Sequence, residues 1–195
     1  AVAAVIGGGV IGGGWVARLI QNGVDVRVFD PDPEAPRKIA AIMGNADHAL
    51  ARLTMAPPPA RGRLEFASSI AGAVASEERS DTAERGDRTE LIVEAVPERL
   101  KIKQSVYAEI ELAAADDASI SSSTSGIMPS DLQAKMERPD RLMVGHPFNP
   151  VYLLPLVELV PSAATPPGEV AQVQALLRDI GMFPLLVRKE IDAHI

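Results

Sequence analysis

Residues 2–12 of this chain, VAAVIGGGVIG, join a short apolar run to a glycine-rich turn. The apolar, β-branched run predicts a buried strand over residues 2–6. The glycines fit the pattern G-x-G-x-x-G and open a helix predicted over residues 12–22, with Gly23 as its C-cap. A second strand, residues 24–29, ends at Asp30, 18 residues after Gly12. This β–α–β order is typical of a right-handed crossover unit.

The glycine pattern has a physical meaning in a dinucleotide-binding unit. Gly7 permits a tight turn, Gly9 lets the backbone approach a pyrophosphate, and Gly12 allows close helix–strand packing. The helix N-terminus offers N–H groups and a positive dipole end to the phosphates. Asp30 would accept hydrogen bonds from the adenosine ribose and repel a 2′-phosphate, which favours NAD over NADP. We therefore expect a site for the cofactor NAD built from Gly7, Gly8, Gly9, Val10, Ile11, Gly12 and Asp30.

Two alternatives to this interpretation stay open at the amino end. The turn could be a structural glycine turn followed by a surface aspartate. A second frame, Gly12-x-Gly14-x-x-Ala17, also fits the pattern, but it begins inside the predicted helix, so the first frame is preferred.

The rest of the chain alternates short apolar runs with helical segments, which predicts an α/β fold with a Rossmann-type doubly wound, mainly parallel sheet. Further strands are predicted over 64–67, 91–96, 119–124, 141–146, 156–160 and 183–187, and helices over 36–55, 70–75, 97–115, 129–136 and 166–180. The connection from His146 to Leu156 is too short for a parallel crossover, so antiparallel strands are expected at the carboxyl end. Residues 76–90 hold nine charges in fifteen positions and are interpreted as a solvated loop or helix tip.

Composition excludes several classes of protein and site. With 26 acidic and 19 basic residues the net charge is −7, and no block of Lys or Arg forms a nucleic-acid footprint. The absence of cysteine removes disulfides, thiolate nucleophiles and cysteine zinc sites, and three scattered histidines predict no metal site. Residues 1–17 are uncharged, yet six of them are glycine and no basic segment precedes them. We expect a cytoplasmic protein that binds neither membrane nor nucleic acid.

Two polar residues interrupt apolar strands in the carboxyl half. Glu158 lies within LVELV, and His146 ends the run LMVGH. A buried carboxylate without a partner costs on the order of several kcal/mol, so Glu158 needs one. If the strands pair about a turn near Tyr152, positions 146 and 158 face each other, each six residues from the turn. Such a pair is either a general base with a fixed tautomer or a structural pair that closes the two strands.

Further polar residues are expected at the same edge of the sheet. Ser125 follows the strand 119–124, and Asn149 lies just beyond His146. Ligands of parallel α/β sheets bind outside the carboxyl ends of the strands, where the glycine loop and residues 94–98 also belong. A serine at the position of Ser125, taken alone, is more often a turn or capping serine.

Four motifs carry a resemblance to a known family: GGGVIG (7–12), EAVPERLKIK (94–103), SSSTSGIMPSD (121–131) and HPFNPVYLLPLVELV (146–160). The chain resembles the NAD-binding domain of the 3-hydroxyacyl-CoA dehydrogenase superfamily over essentially its whole length. The resemblance implies a catalytic group of His146, Glu158, Ser125 and Asn149. It also implies that Ala95, Val96, Glu98 and Lys103 contact the nicotinamide half of NAD, although Ala95 could be a packing residue and Glu98 and Lys103 part of a solvated helix start.

The resemblance also carries expectations about the rest of the protein. Residues 1–188 are expected to form the NAD-binding domain and residues 189–195 the start of a linker. The all-helical second domain of the family is absent from this chain, which opens at Ala1 and is interpreted as a fragment. That domain would close the substrate pocket and carry much of a homodimer contact.

One departure from the family pattern bears on the substrate. Acyl-CoA members usually have an aromatic residue after the histidine, where this chain has Pro147. The form HPFNPVYLLPLVE is most similar to the carnitine 3-dehydrogenase branch, with the L-gulonate 3-dehydrogenase branch close behind. This favours NAD-dependent oxidation of the 3-hydroxyl of L-carnitine, whose ammonium group could face Trp15, Phe148 or Tyr152, unless these pack in the core. An L-3-hydroxyacyl-CoA dehydrogenase or an L-gulonate 3-dehydrogenase is the alternative within the enzyme class. A non-catalytic NAD-binding or structural protein is the alternative of another class.

Overall fold

The computed structural model of the protein describes residues 1–53, 59–75 and 89–190. The strands are β1 (Val2–Ile6), β2 (Asp25–Phe29), β3 (Leu64–Phe66), β4 (Thr89–Glu94), β5 (Ser119–Ser122), β6 (Leu142–Pro147), β7 (Leu156–Val160) and β8 (Phe183–Leu186). The helices are α1 (Val10–Gln21), α2 (Ala35–Leu53), α3 (Ile70–Val74), α4 (Leu100–Ala113), α5 (Pro129–Gln133) and α6 (Pro167–Asp179), with a 3₁₀ turn at Pro139–Arg141. Within these ranges no helix has both the length and the apolarity needed to cross a membrane.

The described strands form one sheet in the order β3-β2-β1-β4-β5-β6-β7-β8. All neighbouring pairs are parallel except β6 and β7, which are antiparallel as the short connection between them predicts. The strand order reverses between β1 and β4, so their connections leave in opposite directions and open a crevice at the carboxyl edge. The expected doubly wound, mainly parallel sheet is confirmed.

Every residue of β1 is buried, because helices cover both faces of the sheet. Ala3 and Val5 point into a core shared with α1, α2 and α6, whereas Ala4 and Ile6 point into a second core shared with α3, α4 and α5. This alternation explains why β1 is a continuous apolar run rather than one of period two.

Several predicted element ends were wrong by two or three residues, and side-chain hydrogen bonds account for two of them. Strand β4 ends at Glu94 because the Glu94 carboxylate turns back to accept the Val96 N–H. Strand β5 ends at Ser122, and just beyond it the Thr124 hydroxyl accepts from Ile127 N–H, which forms a turn. Helix α1 begins at Val10, two residues earlier than predicted, with Gly9 as its N-cap.

Other expectations fall partly outside the described ranges. Of the charged segment 76–90, only residues 89 and 90 are described, and they belong to β4. Residues 54 and 55 of the helix predicted over 36–55, His194 and most of the proposed linker (residues 191–195) also lie outside them.

Candidate active site

At two positions of the glycine loop, only glycine fits. Gly7 has φ of +100°, and an added Cβ there would lie 2.6 Å from the carbonyl oxygen of Ala95. An added Cβ at Gly12 would lie 1.7 Å from the Gly7 carbonyl oxygen. Gly7 N–H donates to the Phe29 carbonyl at 2.9 Å, which ties the loop to the end of β2. Helix α1 and strands β1, β2 and β4 therefore converge at one point of the carboxyl edge.

The residues around this loop fit a dinucleotide. Gly9 is exposed, and a Cβ added there would meet nothing within 4 Å, which leaves room for a phosphate. The first turn of α1 has no acidic side chain and no side-chain cap. The backbone N–H groups at this helix end can therefore donate to a phosphate beside Gly9. A groove of about 550 Å³ runs beside the loop, lined by Ile6, Gly7, Gly9, Phe29, Asp30, Pro31, Ile70, Ala95, Val96, Pro97, Ile102 and Val106.

Asp30 lies at the edge of this groove and also supports the loop. One carboxylate oxygen accepts from Gly8 N–H at 2.6 Å and the other from Asp32 N–H at 2.8 Å. An ionised carboxylate offers about four acceptor positions, so capacity is left for ribose hydroxyls. The position of Asp30 is thus compatible with the predicted role and adds a structural one.

Beneath the groove, the segment after β4 is fastened by a buried ion pair. Lys103 is 1% exposed and its Nζ lies 2.7 Å from Oε1 of Glu94, which is fully buried. Oε2 of Glu94 accepts from the hydroxyls of Tyr107 at 2.5 Å and Ser122 at 2.6 Å. Burial, followed by the charge of Glu94, raises the pKa of Tyr107 well above its usual range, so the phenol remains a donor.

This network was not foreseen from the sequence, although a signal for it is present. Glu94 interrupts an apolar strand in the same way as Glu158, and the same burial argument applies to it. Lys103, expected at the nicotinamide, has its ammonium group bonded to Glu94 and to the Val96 carbonyl at 3.3 Å. A contact between Lys103 and the cofactor stays a prediction.

Glu98 connects the segment after β4 to the loop that carries Ser125. Its Oε1 accepts from the Thr124 hydroxyl and from the backbone N–H groups of Ser125 and Gly126, both at 3.0 Å. Its Oε2 lies 3.3 Å from Lys103 Nζ. Partial burial alone would raise the pKa of Glu98, but these hydrogen bonds and the Lys103 charge together lower it. Glu98 therefore remains ionised while it holds the Ser125 loop in place.

The strands β6 and β7 bring His146 and Glu158 together as the turn arithmetic predicted. They are directly opposite in the antiparallel register, and His146 Nδ1 lies 3.0 Å from Glu158 Oε2. Glu158 is 3% exposed, whereas the His146 side chain is 15% exposed. The pair thus joins a buried carboxylate to an imidazole that still reaches the surface. Beside it, Phe148 holds its ring 6.0 Å from the His146 ring, centroid to centroid.

The remaining candidate residues follow the ends of neighbouring strands at the same carboxyl edge. Ser125 is exposed beyond β5, the strand next to β6 in the sheet, and Asn149 is exposed two residues after β6. Trp15, considered for an ammonium group, is 0% exposed and packs in the core, where its indole N–H donates to Ser123 Oγ at 3.1 Å. Phe148 and Tyr152 are half-buried.

A glycine turn entering a helix, an acidic residue ending the next strand and a crevice at the sheet switch point define a Rossmann-type nucleotide-binding domain. Residues 2–191 match the family described as 3-hydroxyacyl-CoA dehydrogenase, NAD binding domain. The chain belongs to this family, and its cofactor is NAD.

Relatives with reviewed descriptions are similar over nearly the whole chain. The L-carnitine dehydrogenase/betainyl-CoA thioesterase of Rhizobium meliloti (strain 1021) is 49% identical over 193 residues, which cover 99% of this chain and 36% of that protein. The L-carnitine dehydrogenase of Mesorhizobium japonicum is 49% identical over 194 residues, 99% of this chain and 50% of that protein. The chain therefore spans only about a third to a half of the length of these relatives.

Solved structures show the same fold. One is FHMPC 5-dehydrogenase, which acts on a pyridine carboxylic acid and is described as an NAD⁺ dependent dismutase. Its TM-score is 0.86 at 32% sequence identity, and the match covers 98% of this chain and 59% of that protein's chain. The 3-hydroxybutyryl-CoA dehydrogenase of Escherichia coli has a TM-score of 0.79 and 26% identity, covering 95% of this chain and 37% of its own.

Proposed function

We propose that the full-length protein oxidises the 3-hydroxyl group of L-carnitine to the ketone 3-dehydrocarnitine, with NAD as the oxidant. The observation that carries the proposal is the 3.0 Å contact between His146 Nδ1 and Glu158 Oε2 at the carboxyl edge of an NAD-binding domain. The choice of carnitine is supported by relatives described as L-carnitine dehydrogenases at 49% identity.

His146 acts as the general base. Its Nδ1–H donates to Glu158, which places the lone pair of the neutral imidazole on Nε2. Nε2 takes the proton of the substrate hydroxyl, and the electron pair of that O–H bond forms the ketone as the C3–H bond breaks. NAD, held by the glycine loop and Asp30, would supply the acceptor for the hydride that leaves C3. Glu158 fixes the imidazole orientation and stabilises the imidazolium. The imidazolium then releases its proton, and the net products are the ketone, NADH and one proton.

The neighbouring side chains orient the reacting groups. Ser125 and Asn149 hold the hydroxyl oxygen and the nicotinamide in register with His146. Ser125 is kept in position by Glu98, which accepts its backbone N–H. Ala95, Val96 and Glu98 form the wall against the nicotinamide half, and Lys103 backs this wall through its bonds to the Val96 carbonyl and Glu98. The glycine loop and Asp30 hold the adenosine half.

The second domain is part of the same proposal. Residues 1–188 form the cofactor domain, and residues 189–195 begin the connection to an all-helical domain that closes the substrate pocket and carries a homodimer contact. The support is that the relatives extend well beyond the length matched here.

The base is tested with His146→Gln in the full-length protein, following NADH absorbance with L-carnitine. Loss of a general base typically costs about 10²–10⁴ in rate, so kcat should fall by that factor while NAD still binds. The matched control is His48→Gln, because His48 is exposed on α2 and should leave kcat unchanged. Undiminished turnover by His146→Gln would remove His146 from the mechanism.

A substrate panel separates the proposal from its alternatives. If the protein oxidises L-gulonate or a 3-hydroxyacyl-CoA in preference to carnitine, the His–Glu mechanism stands and the proposed substrate is wrong. Binding of NAD with no turnover of any 3-hydroxy acid would instead favour a non-catalytic NAD-binding protein.

A further inference from the structure

Helix α1 contains a glycine that the dinucleotide motif does not require. An added Cβ at Gly14 would lie 3.0 Å from Cβ and 3.1 Å from Cγ2 of Val151. Val151 is fully buried and lies two residues after Asn149. The missing side chain at Gly14 therefore lets Val151 pack directly on the helix.

The same helix makes two polar contacts with the loops of the site. The Trp15 indole N–H donates to Ser123 Oγ, two residues before Ser125. The half-buried Arg18 guanidinium donates to the carbonyl of Tyr152 at 3.5 Å and to that of Gly181 at 2.5 Å. Helix α1 thus contacts the segment after β5 and the segment after β6, while its first turn faces the phosphate site.

We propose that Gly14 is a positioning residue that sets the distance between the loop after His146 and the bound cofactor, with Arg18 holding the same loop from the next turn of the helix. The helix serves as a common support, since its N-terminus anchors the pyrophosphate and its flank fixes residues 148–152. This inference rests on the proposed dehydrogenase function, and it explains the second glycine frame as a packing requirement.

An alanine at position 14 has a defined physical consequence. At 3.0–3.1 Å its Cβ is closer to Val151 than nearly all real contacts, so Val151 must move by a few tenths of an ångström. Reacting atoms must approach to about 3–3.5 Å, and a misplacement of about 1 Å can cost about 10²-fold in rate. A smaller shift of the loop should therefore lower kcat by roughly three- to tenfold without changing how NAD is held.

Gly13 supplies the matched control. An added Cβ at Gly13 would meet Cδ1 of Ile42 at 2.5 Å, and this terminal methyl group on α2 can rotate away. Gly13→Ala and Gly14→Ala carry the same gain in helix propensity, at adjacent positions of one helix. They differ in the group that must move, which is the end of the Ile42 side chain in one case and the loop after His146 in the other.

The experiment compares both variants in the full-length protein, measuring kcat with the 3-hydroxy acid substrate and the dissociation constant of NAD. Gly14→Ala should lower kcat about three- to tenfold and leave the NAD dissociation constant within about twofold, whereas Gly13→Ala should change neither. Adding Val151→Ala should restore part of the lost kcat to Gly14→Ala but should not raise the kcat of Gly13→Ala, because only Gly14 and Val151 are in contact. Equal kcat for the two glycine variants would overturn the proposal.

A second measurement keeps this test separate from that of the proposed function. Hydrogen exchange of residues 148–155, where Leu153 and Leu154 N–H donate to the Pro150 carbonyl, reports the loop without any turnover. Faster exchange in Gly14→Ala than in Gly13→Ala supports the positioning role even if the wild-type protein oxidises no 3-hydroxy acid; equal exchange contradicts it. If Gly14→Ala does not fold, Arg18→Met, which removes the bonds to the Tyr152 and Gly181 carbonyls, takes its place. Faster exchange of residues 148–155 in Arg18→Met than in Gly13→Ala supports the proposal, and equal exchange contradicts it.

Discussion

Glu94 and Lys103 form an ion pair that is removed from water on both sides. Such a pair is costly to bury unless the remaining hydrogen-bonding positions are satisfied. Here Glu94 accepts from the Lys103 ammonium, the Val96 N–H and the hydroxyls of Tyr107 and Ser122. The pair is therefore tolerated in the interior, because its hydrogen-bonding positions are satisfied. It also fixes the first residues after β4, which line the groove beside the glycine loop.

The residue-scale prediction concerns the loss of one partner of this pair. Lys103→Met should lower the free energy of unfolding by about 3–5 kcal/mol, because it leaves a buried carboxylate without its cation. Lys101→Met, at an exposed position of the same helix, should change it by less than about 0.5 kcal/mol. Urea unfolding of both variants measures the difference. Equal stability of the two would show that the neutral donors alone hold the carboxylate.

Helices α1 and α2 both contain glycine, but only in α1 does a glycine lie where no side chain would fit. Gly12 is required by contact, since an added Cβ would overlap the Gly7 carbonyl oxygen. Gly44 lies exposed within α2, and an added Cβ would meet nothing within 4 Å. Composition alone does not separate the two, because the difference lies in what each glycine touches.

The element-scale prediction follows from this contrast. Gly44→Ala should raise the free energy of unfolding by about 0.8–1 kcal/mol through helix propensity, with NAD affinity unchanged. Gly12→Ala should abolish NAD binding, because the phosphate loop cannot keep its conformation. Urea unfolding and NAD titration distinguish these outcomes. A Gly12→Ala protein that binds NAD normally would contradict the contact argument.

At the scale of the whole molecule, the reversal of strand order between β1 and β4 opens the crevice beside the glycine loop. The glycine loop and the Glu94 segment meet there because Ile6 is level with both Phe29 and Glu94 in the sheet register. The His146–Glu158 pair forms further along the same edge, where β7 runs antiparallel to β6. One sheet edge therefore carries both the candidate cofactor site and the candidate base.

A whole-molecule prediction tests the choice of cofactor. NAD at about 100 times its dissociation constant should stabilise the folded protein by about 2.7 kcal/mol. NADP at the same concentration should stabilise it less, because the Asp30 carboxylate repels the 2′-phosphate. Thermal unfolding with each nucleotide measures the stabilisation by NAD and by NADP. The difference between these two stabilisations should be smaller in Asp30→Asn than in the wild type. Equal stabilisation of the wild type by NAD and NADP would remove Asp30 from cofactor selection.

The order of residues was sufficient to predict the fold class, the glycine loop and the His146–Glu158 pairing. These depend on local signals, namely apolar runs, turn glycines and the length of one connection. The tertiary structure alone showed the Glu94–Lys103–Tyr107–Ser122 network, the bond from Glu98 to the Ser125 loop and the packing of Val151 on Gly14. Each of these joins residues from different elements, and their contacts depend on how helices lie on the sheet. Periodicity along a chain carries no record of that arrangement, because packing between elements is decided by three-dimensional fit.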